Sequence, residues 1–449
     1  MMPGIFDIAK SAVTAQREAL SQTSQNIANV GTEGYRRREV ALSEVKGTQS
    51  ELIAVTQQAG LGVRVDSIRR SYDELLATRA RDAHASFASL ESYIQELAQV
   101  EDTLLPSDGD LTLSMGRFFD AVGAVSASPG DLAERQVMVA EGQSMASAFN
   151  VTAGALEDLA GDVRDNVNST LNDINIITVG LLDVNEQLRA ASLGDTPPLA
   201  LLDERDRLLD KLAEEISISV SYGSRNEAFV RVGKTGDGAL IVDESRAVKL
   251  LSRTDGPRIL VTTGGGTNIT GSIDGGRLRG ELDGASVIAS SQEMLDALAK
   301  TMVSEMNAAH KQGIDLKGVR GGALFTSVAY EVVPVDTNQG EFEVDFTPVP
   351  GLADDIGSIS LKYQEELGQW SAFDVEGELL GRGARVIETD AGIIQVNGVP
   401  AGGDILELRA LDGDASRLAF VLSDPSTIAA ASDVNASRHS SNLGQAEIS

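Results

Sequence analysis

The sequence predicts an α+β multidomain protein: an elongated body of long helices in a bundle, with a β-rich subregion and an inserted all-β domain. Three observations lead there. Apolar residues recur every three or four positions over stretches far longer than an ordinary helix. Twice, at about 216–275 and at 326–424, the period switches to two, and Gly, Asp and Asn punctuate the runs. Aromatic residues are only 4% of the 449, against 45 Gly, so burial has to come from Ala, Leu, Val and Ile, which suit close helix contacts.

Residues 3–30 read as an amphipathic helix with Ile5, Ile8, Ala12, Ala15 and Ala19 on one face. An Ala-rich stripe contributes little apolar area, so this helix is marginal alone and suits packing in an array. Gly31 and Gly34 stop it, and 35–45 and 61–68 alternate as short strands across a Gly/Ser/Gln loop. From Tyr72, the series Leu76, Ala83, Phe87, Leu90, Ile94, Leu97 and Leu104 predicts a long helix ending before Pro106. A shorter helix is expected at 111–125. Another long one follows, with Leu156, Leu159, Val163, Val167, Leu171, Ile174, Ile177, Leu181, Val184 and Leu188 in heptad steps until Gly194 and Pro197 break it. Unbroken from 131 to 191, it would be about 90 Å long at roughly 1.5 Å per residue. Periodicity leaves open whether these helices form an antiparallel bundle within one domain or a rod.

A further helix is expected at 199–214, then strands near 216–222, 228–232, 239–242, 248–251 and 259–262. Helical spacing returns at 281–312 through Leu282, Val287, Met294, Leu298, Met302 and Met306. Short strands fill 324–422, and 423–431 reads as a last short helix. The domain division is 1–60 for the N-terminal helix and linker, 61–325 for the helical body with its β-rich subregion, 326–424 for the inserted domain and 425–449 for a short return segment.

Charge and composition exclude much. With 37 Lys and Arg against 67 Asp and Glu, the net charge of −30 repels phosphate backbones and anionic lipid, so neither nucleic acid nor membrane is an expected partner. There is no Cys for a disulfide, thiolate metal site or catalytic thiol. Asp7 and Lys10 interrupt the apolar start, so no ordinary secretory signal is read, and no apolar run reaches the length of a membrane span. The Gly233-Lys234-Thr235 segment lacks the glycine spacing of a phosphate loop and lies between strand-like runs, as a hairpin turn does. His84, His310 and His439 are scattered, with no metal-binding spacing, and Ser appears without a nucleophile elbow. No catalytic residue, cofactor or metal is expected.

One run does carry information: Ser24-Gln25-Asn26-Ile27-Ala28-Asn29-Val30-Gly31-Thr32-Glu33-Gly34-Tyr35. Two Asn three apart at a helix end can bond freed backbone groups, the glycines permit a tight turn, and Tyr35 can anchor it. The run resembles S-x-N-I-A-N-x-x-T-x-G-Y, the N-terminal signature of flagellar axial proteins of the rod, hook and hook-associated family, through Ser24, Asn26, Ile27, Ala28, Asn29, Thr32, Gly34 and Tyr35. Five further segments resemble the hook-filament junction members of that family, in family order: LGVRVDSIRRSYDELLATRAR at 61–81, residues 131–150, LLDERDRLLDKLAEEISISVS at 201–221, MNAAHKQGIDLKGVRGGALF at 306–325 and SDPSTIAAAS at 423–432.

The resemblance implies a non-enzymatic structural subunit of the extracellular flagellum. It would be exported through the flagellar type III channel with a chaperone, and would assemble as a ring at the distal end of the hook, between hook protein and the second junction protein. Ile5, Ile8, Ala12, Ala15, Ala19 and Ile27 are the expected assembly stripe, and Ser24, Asn26, Ala28, Asn29, Thr32, Gly34 and Tyr35 the turn that sets the next segment's angle. The family's long C-terminal helix has no counterpart before Ser449, so a truncated chain or an atypical member is expected. Another axial protein, of hook or distal rod, is an alternative; a carbohydrate-acting enzyme within 326–422 is a remote one.

Overall fold

The computed structural model describes residues 5–45, 62–105, 111–191, 198–326, 329–334, 338–348, 358–411 and 415–432. The expected loop at 46–60 and residues 433–449 lie outside them. The chain divides into two compact units, one of Met1–Ala98 with Gly161–Val287 and one of Gln99–Ala160 with Ile288–Ser449. The fold is α+β and multidomain, with separate small sheets.

In the first unit, α1 (Ile5–Ala28) leads into β1 (Arg38–Glu44), which pairs antiparallel with β2 (Val63–Arg70), Val40 facing Ile68. This hairpin packs on α1, and Ser11 Oγ accepts from Val63 N at 3.2 Å. Next comes α2 (Glu74–Leu104). From Gly161 onward α4 (Leu132–Ala191) forms the spine, its heptad residues Val163, Val167, Leu171, Ile174, Leu181, Val184 and Leu188 all buried. After α5 (Leu199–Glu215), β3 (Ile218–Tyr222), β4 (Ala228–Val232) and β5 (Leu240–Val242) form a three-stranded sheet. A hairpin of β6 (Leu250–Asp255) and β7 (Arg258–Thr263) follows, and then α6 (Arg277–Lys311).

The expected stripe of α2 does not face the core. Leu76, Phe87, Leu90 and Ile94 are exposed, while Arg81, Ala85, Ser92 and Glu96 are buried. Close approach to α6 is the reason. A Cβ on Gly284 would stand 2.5 Å from Glu96 Cβ, and one on Gly280 would run into Ser89 and Ser92. At a contact that tight α2 presents Ser89, Ser92 and the stem of Glu96 to α6 where Leu or Phe would not fit, while Arg81 is buried against Asp210 of α5.

In the second unit, α3 (Leu111–Ala127), the first part of α4 and the later part of α6 enclose a core built on Phe118, Met145, Phe149 and Leu156. Phe118, Phe325 and Phe420 meet edge to face at 5.0–6.4 Å. Two short antiparallel pairs close the unit: β8 (Gly313–Ile314) with β19 (Ala431–Ser432), and β9 (Phe325–Thr326) with β18 (Ala419–Phe420). The second pair brackets the inserted domain.

There β10 (Ala329–Pro334), β17 (Ile405–Leu411), β12 (Ile359–Gln364), β13 (Gln369–Phe373) and β14 (Leu379–Gly383) form one sheet in that order. β11 (Glu341–Pro348), β16 (Gly392–Val399) and β15 (Val386–Thr389) form the other. Leu361, Trp370 and Leu408 from the first share a core with Ile387 and Ile394 from the second, as in a two-layer sandwich.

The last expected helix, at 423–431, is instead one 3₁₀ turn, Pro425–Thr427. Asp424 Oδ1 accepts from Ser426 N at 2.9 Å and caps the turn. The buried Arg135 takes the carbonyls that a helix would need, donating to Pro425 O at 3.1 Å and to Ile428 O at 2.5 Å. His310, also buried, completes the clasp: Nδ1–H donates to Gly322 O at 2.8 Å and Nε2 accepts from Ala429 N at 2.7 Å.

Burial holds the His310 pKa below its ordinary value of 6.5, because the clasp uses the neutral ring. The unfolded chain therefore protonates first. The clasp's contribution is full above the ordinary value and is lost as pH falls through the lower folded one. We expect His310→Ala to cost about 1–3 kcal/mol at pH 7, and the stability difference between the full chain and this variant to shrink between pH 7 and pH 5.

Candidate functional site

α1 ends at Ala28, and the residues that follow are shaped by one side chain. Asn26 Oδ1 accepts from Tyr35 Oη at 2.9 Å and from Arg38 N at 3.0 Å, while its Nδ2 donates to Arg38 O at 2.9 Å. A carboxamide can do this because it carries donor and acceptor together, so Asn26 stands in for a strand and sets where β1 begins. Asn29 Nδ2 donates to Gln25 O at 2.9 Å, and Thr32 Oγ1 donates to Asn29 Oδ1 at 3.2 Å. Backbone turns from Asn29 O to Thr32 N and from Thr32 O to Tyr35 N carry the chain round.

Gly34 has φ +80°, and a Cβ there would lie 2.9 Å from Arg207 Cβ on α5. It is glycine for conformation and for space. Ser24, Ala28 and Thr32 remain exposed.

Beyond the turn, the hairpin is fixed to the body by charge. On α5, Asp203, Asp206 and Asp210 recur at three- and four-residue spacing and so share a face. Arg70 from β2 reaches Asp203 at 2.9 Å and Asp206 at 2.8 Å, and Arg38 from β1 reaches Asp203 at 3.2 Å. Asp210 takes Arg36 at 3.1 Å and Arg81 of α2 at 2.7 Å. Arg205 braces Asp206 from its own helix at 2.7 Å and donates to Asn226 O at 2.8 Å.

Three of these guanidinium groups lie over tyrosine rings: Arg38 on Tyr35 at 5.1 Å, Arg70 on Tyr72 at 4.9 Å and Arg205 on Tyr222 at 4.1 Å. Burial, together with the Tyr222 hydroxyl 3.2 Å away, holds the Tyr72 phenol well above its ordinary range, so it stays protonated. The arrangement holds two segments at a fixed angle. Among the described residues, no cluster of three or more His, Asp or Glu is placed to hold a metal ion.

The structure brings together Asn26, Asn29, Thr32, Gly34 and Tyr35 of the sequence-derived site. The stripe is divided. Ala15 is buried, and Ile8 and Ala19 half-buried, on the side of α1 toward the hairpin, whereas Ala12 and Ile27 are exposed; the side chain of Ile5 lies outside the described residues. Sequence reasoning missed the Arg–Asp cluster. Its signal was Asp at positions i, i+3 and i+7 on one face of a helix, with arginines at the matching ends of two short strands.

We expect Asp203→Ala, which strands Arg38 and leaves Arg70 held by Asp206 alone, to cost about 3–5 kcal/mol in the local opening of the hairpin. Hydrogen exchange should show lost protection in β1 and β2 while α4 is unchanged. Asn26→Asp, which removes the Nδ2 donor, should loosen the same amides by about 1–2 kcal/mol.

Comparison with known proteins gives this geometry its setting. The model of the flagellar hook-associated protein FlgK helical domain matches residues 97–325. The flagellar hook-associated protein 1 of Escherichia coli K12 is 23% identical, over 99% of this chain and 82% of its own length. The one from Bacillus subtilis 168 is 25% identical over 76% and 73%, and the one from Salmonella typhimurium LT2 25% identical over 77% and 63%. The flagellar hook junction protein FlgK from Burkholderia pseudomallei superimposes with a TM-score of 0.56 at 22% identity, covering 79% of this chain and 66% of that one, and so shares the fold. The chain belongs to the flagellar hook-associated protein FlgK family, structural proteins of the bacterial flagellum.

Proposed function

We propose that this chain is a non-catalytic subunit that assembles as a ring at the distal end of the hook and joins it to the filament. Hook protein would lie below it and the second junction protein above. It would reach that place by flagellar type III export, unfolded and escorted by a chaperone. The Burkholderia protein that shares its fold is a flagellar hook junction protein, which supports this place.

The observation that carries the reading is the face of α1 turned away from its own hairpin. Phe6, Val13, Leu20 and Ile27 fall one every seven residues there, and Phe6 and Leu20 are 90% and 68% exposed. A helix occupied on one side and bearing a regular apolar row on the other has a surface that fits adjacent axial helices. Beside the row, a cleft of about 540 Å³ between α1 and β1 is lined by Gln22, Asn26, Ile27, Val30 and Val40. Gln22 is buried and its Oε1 has no partner among the described residues. A neighbour that enters this cleft could supply a donor.

The assembly face we infer is therefore Ile27 of the expected stripe together with Phe6, Val13 and Leu20, with the exposed Ala12 at the margin between this row and the hairpin side. Ile5 stays a candidate. Ile8, Ala15 and Ala19 act by holding the helix to its hairpin.

Ala12→Glu and Leu20→Glu should leave circular dichroism and thermal melting of the monomer unchanged, yet abolish recovery of the protein in isolated hook-filament preparations. Cells lacking the protein should keep hooks without filaments in electron micrographs. Loss of helicity in the monomer of either variant would mean instead that the row is internal core.

A further inference from the structure

The first unit contains a cavity of about 560 Å³ framed by α2, α4, α5 and α6 and separate from the N-terminal turn. Glu96 of α2 and Glu281 of α6 line it, each 4% exposed. Glu281 Oε1 accepts from Thr170 Oγ1 at 2.8 Å and Glu96 Oε1 from Asn166 Nδ2 at 3.5 Å. The second oxygen of each carboxylate is buried with no partner among the described residues. Leaving such an acceptor unmet costs free energy that ordinary folding avoids.

The surrounding charge deepens the deficit. Glu91 and Glu214 also line the cavity, Asp162 and Asp173 act from α4, and Glu215 is already matched by Arg277 at 3.2 Å. Arg277 and His84 are the basic side chains of the lining. Gly280 and Gly284, by drawing α6 onto α2, are what press Glu96 into this position.

We propose that this cavity binds an organic cation of the guanidinium class, with Glu96 and Glu281 as its two carboxylate anchors. A metal ion is a poorer fit, since no group of three His, Asp or Glu converges among the described residues. A guanidinium carries several donors in a planar fork and reaches oxygens on separate helices. Burial pushes the Glu281 carboxyl up to about 7, so the cation competes with a proton and binds more tightly as pH rises from 6 to 8. Such a head group could belong to an arginine of an adjoining subunit or to a free small molecule.

Titration calorimetry on the full chain, with millimolar methylguanidinium and with tetramethylammonium at equal ionic strength, tests the inference. Methylguanidinium should give a saturable heat, with proton release at pH 7 visible as a dependence on buffer ionisation enthalpy; tetramethylammonium should give none. Glu281→Gln and Glu96→Gln keep the side-chain shape and should each weaken binding by roughly tenfold or more. Glu91→Gln, on the exposed rim, should show a smaller loss and serves if either buried variant fails to fold. If methylguanidinium also disperses self-associated protein in sedimentation velocity, the head comes from a second copy. If it binds without that effect, the source is a free molecule. Equal heats from the two cations, or binding that survives in the double Glu96→Gln, Glu281→Gln variant, would overturn the proposal.

Discussion

The pairing of Asp203 and Asp206 with Arg38 and Arg70 holds the N-terminal segment to the rest of its unit, and it does so where apolar burial cannot. Among the described side chains of β1 and β2, none is fully buried. A two-stranded hairpin of that kind has little stability of its own. Charge alone would be a weak substitute on an open surface, but Asp206 is wholly buried and Arg70 nearly so, where loss of one partner leaves the other stranded. Tyrosine rings under three of the guanidinium groups restrict their planes as well as their positions. The result is a joint with a defined direction, which an apolar contact of equal area would not specify.

Direction is also the theme of the turn before it. Asn26 bonds both backbone groups of Arg38, and Arg38 in turn reaches Asp203, so the helix end, the strand start and α5 are linked through two consecutive polar contacts. Gly34 allows α5 to approach because a side chain there would collide with Arg207. The signature residues and the α5 element, read separately along the chain, are thus two sides of one device. The same holds in the second unit, where His310 from one recognised segment bonds Ala429 from another.

The contrast between α4 and α2 marks how far the sequence could be read. The heptad of α4 from Leu156 to Leu188 points into the cores, with Ile177 half-buried, because Leu and Val fill ordinary interhelical spacing. The equally regular stripe of α2 points outward. Periodicity reports that a helix has an apolar face, but which face the rest of the fold covers depends on partners distant in sequence, here Gly280 and Gly284 of α6. The Arg–Asp joint was hidden for a related reason. In a chain with 67 acidic residues, three aspartates at helical spacing do not stand out until the arginines that meet them are placed. Asn26 and Gly34 were legible because the turn they make is local.

Exposed apolar residues scattered singly need no explanation, but two helices with them aligned on one side do. Phe6, Val13, Leu20 and Ile27 on α1, and Leu76, Phe87, Leu90 and Ile94 on α2, would draw free copies together indiscriminately if nothing opposed it. A net charge of −30 opposes it at long range, since like-charged copies repel before their apolar rows can meet. Repulsion of this kind is screened over roughly 8–10 Å at physiological salt, whereas apolar attraction acts at contact. On the proposed reading, association would be selective: it would favour partners that present their own apolar face at the correct angle, and the angle at the N-terminal end is the one that Asn26 and the α5 aspartates fix.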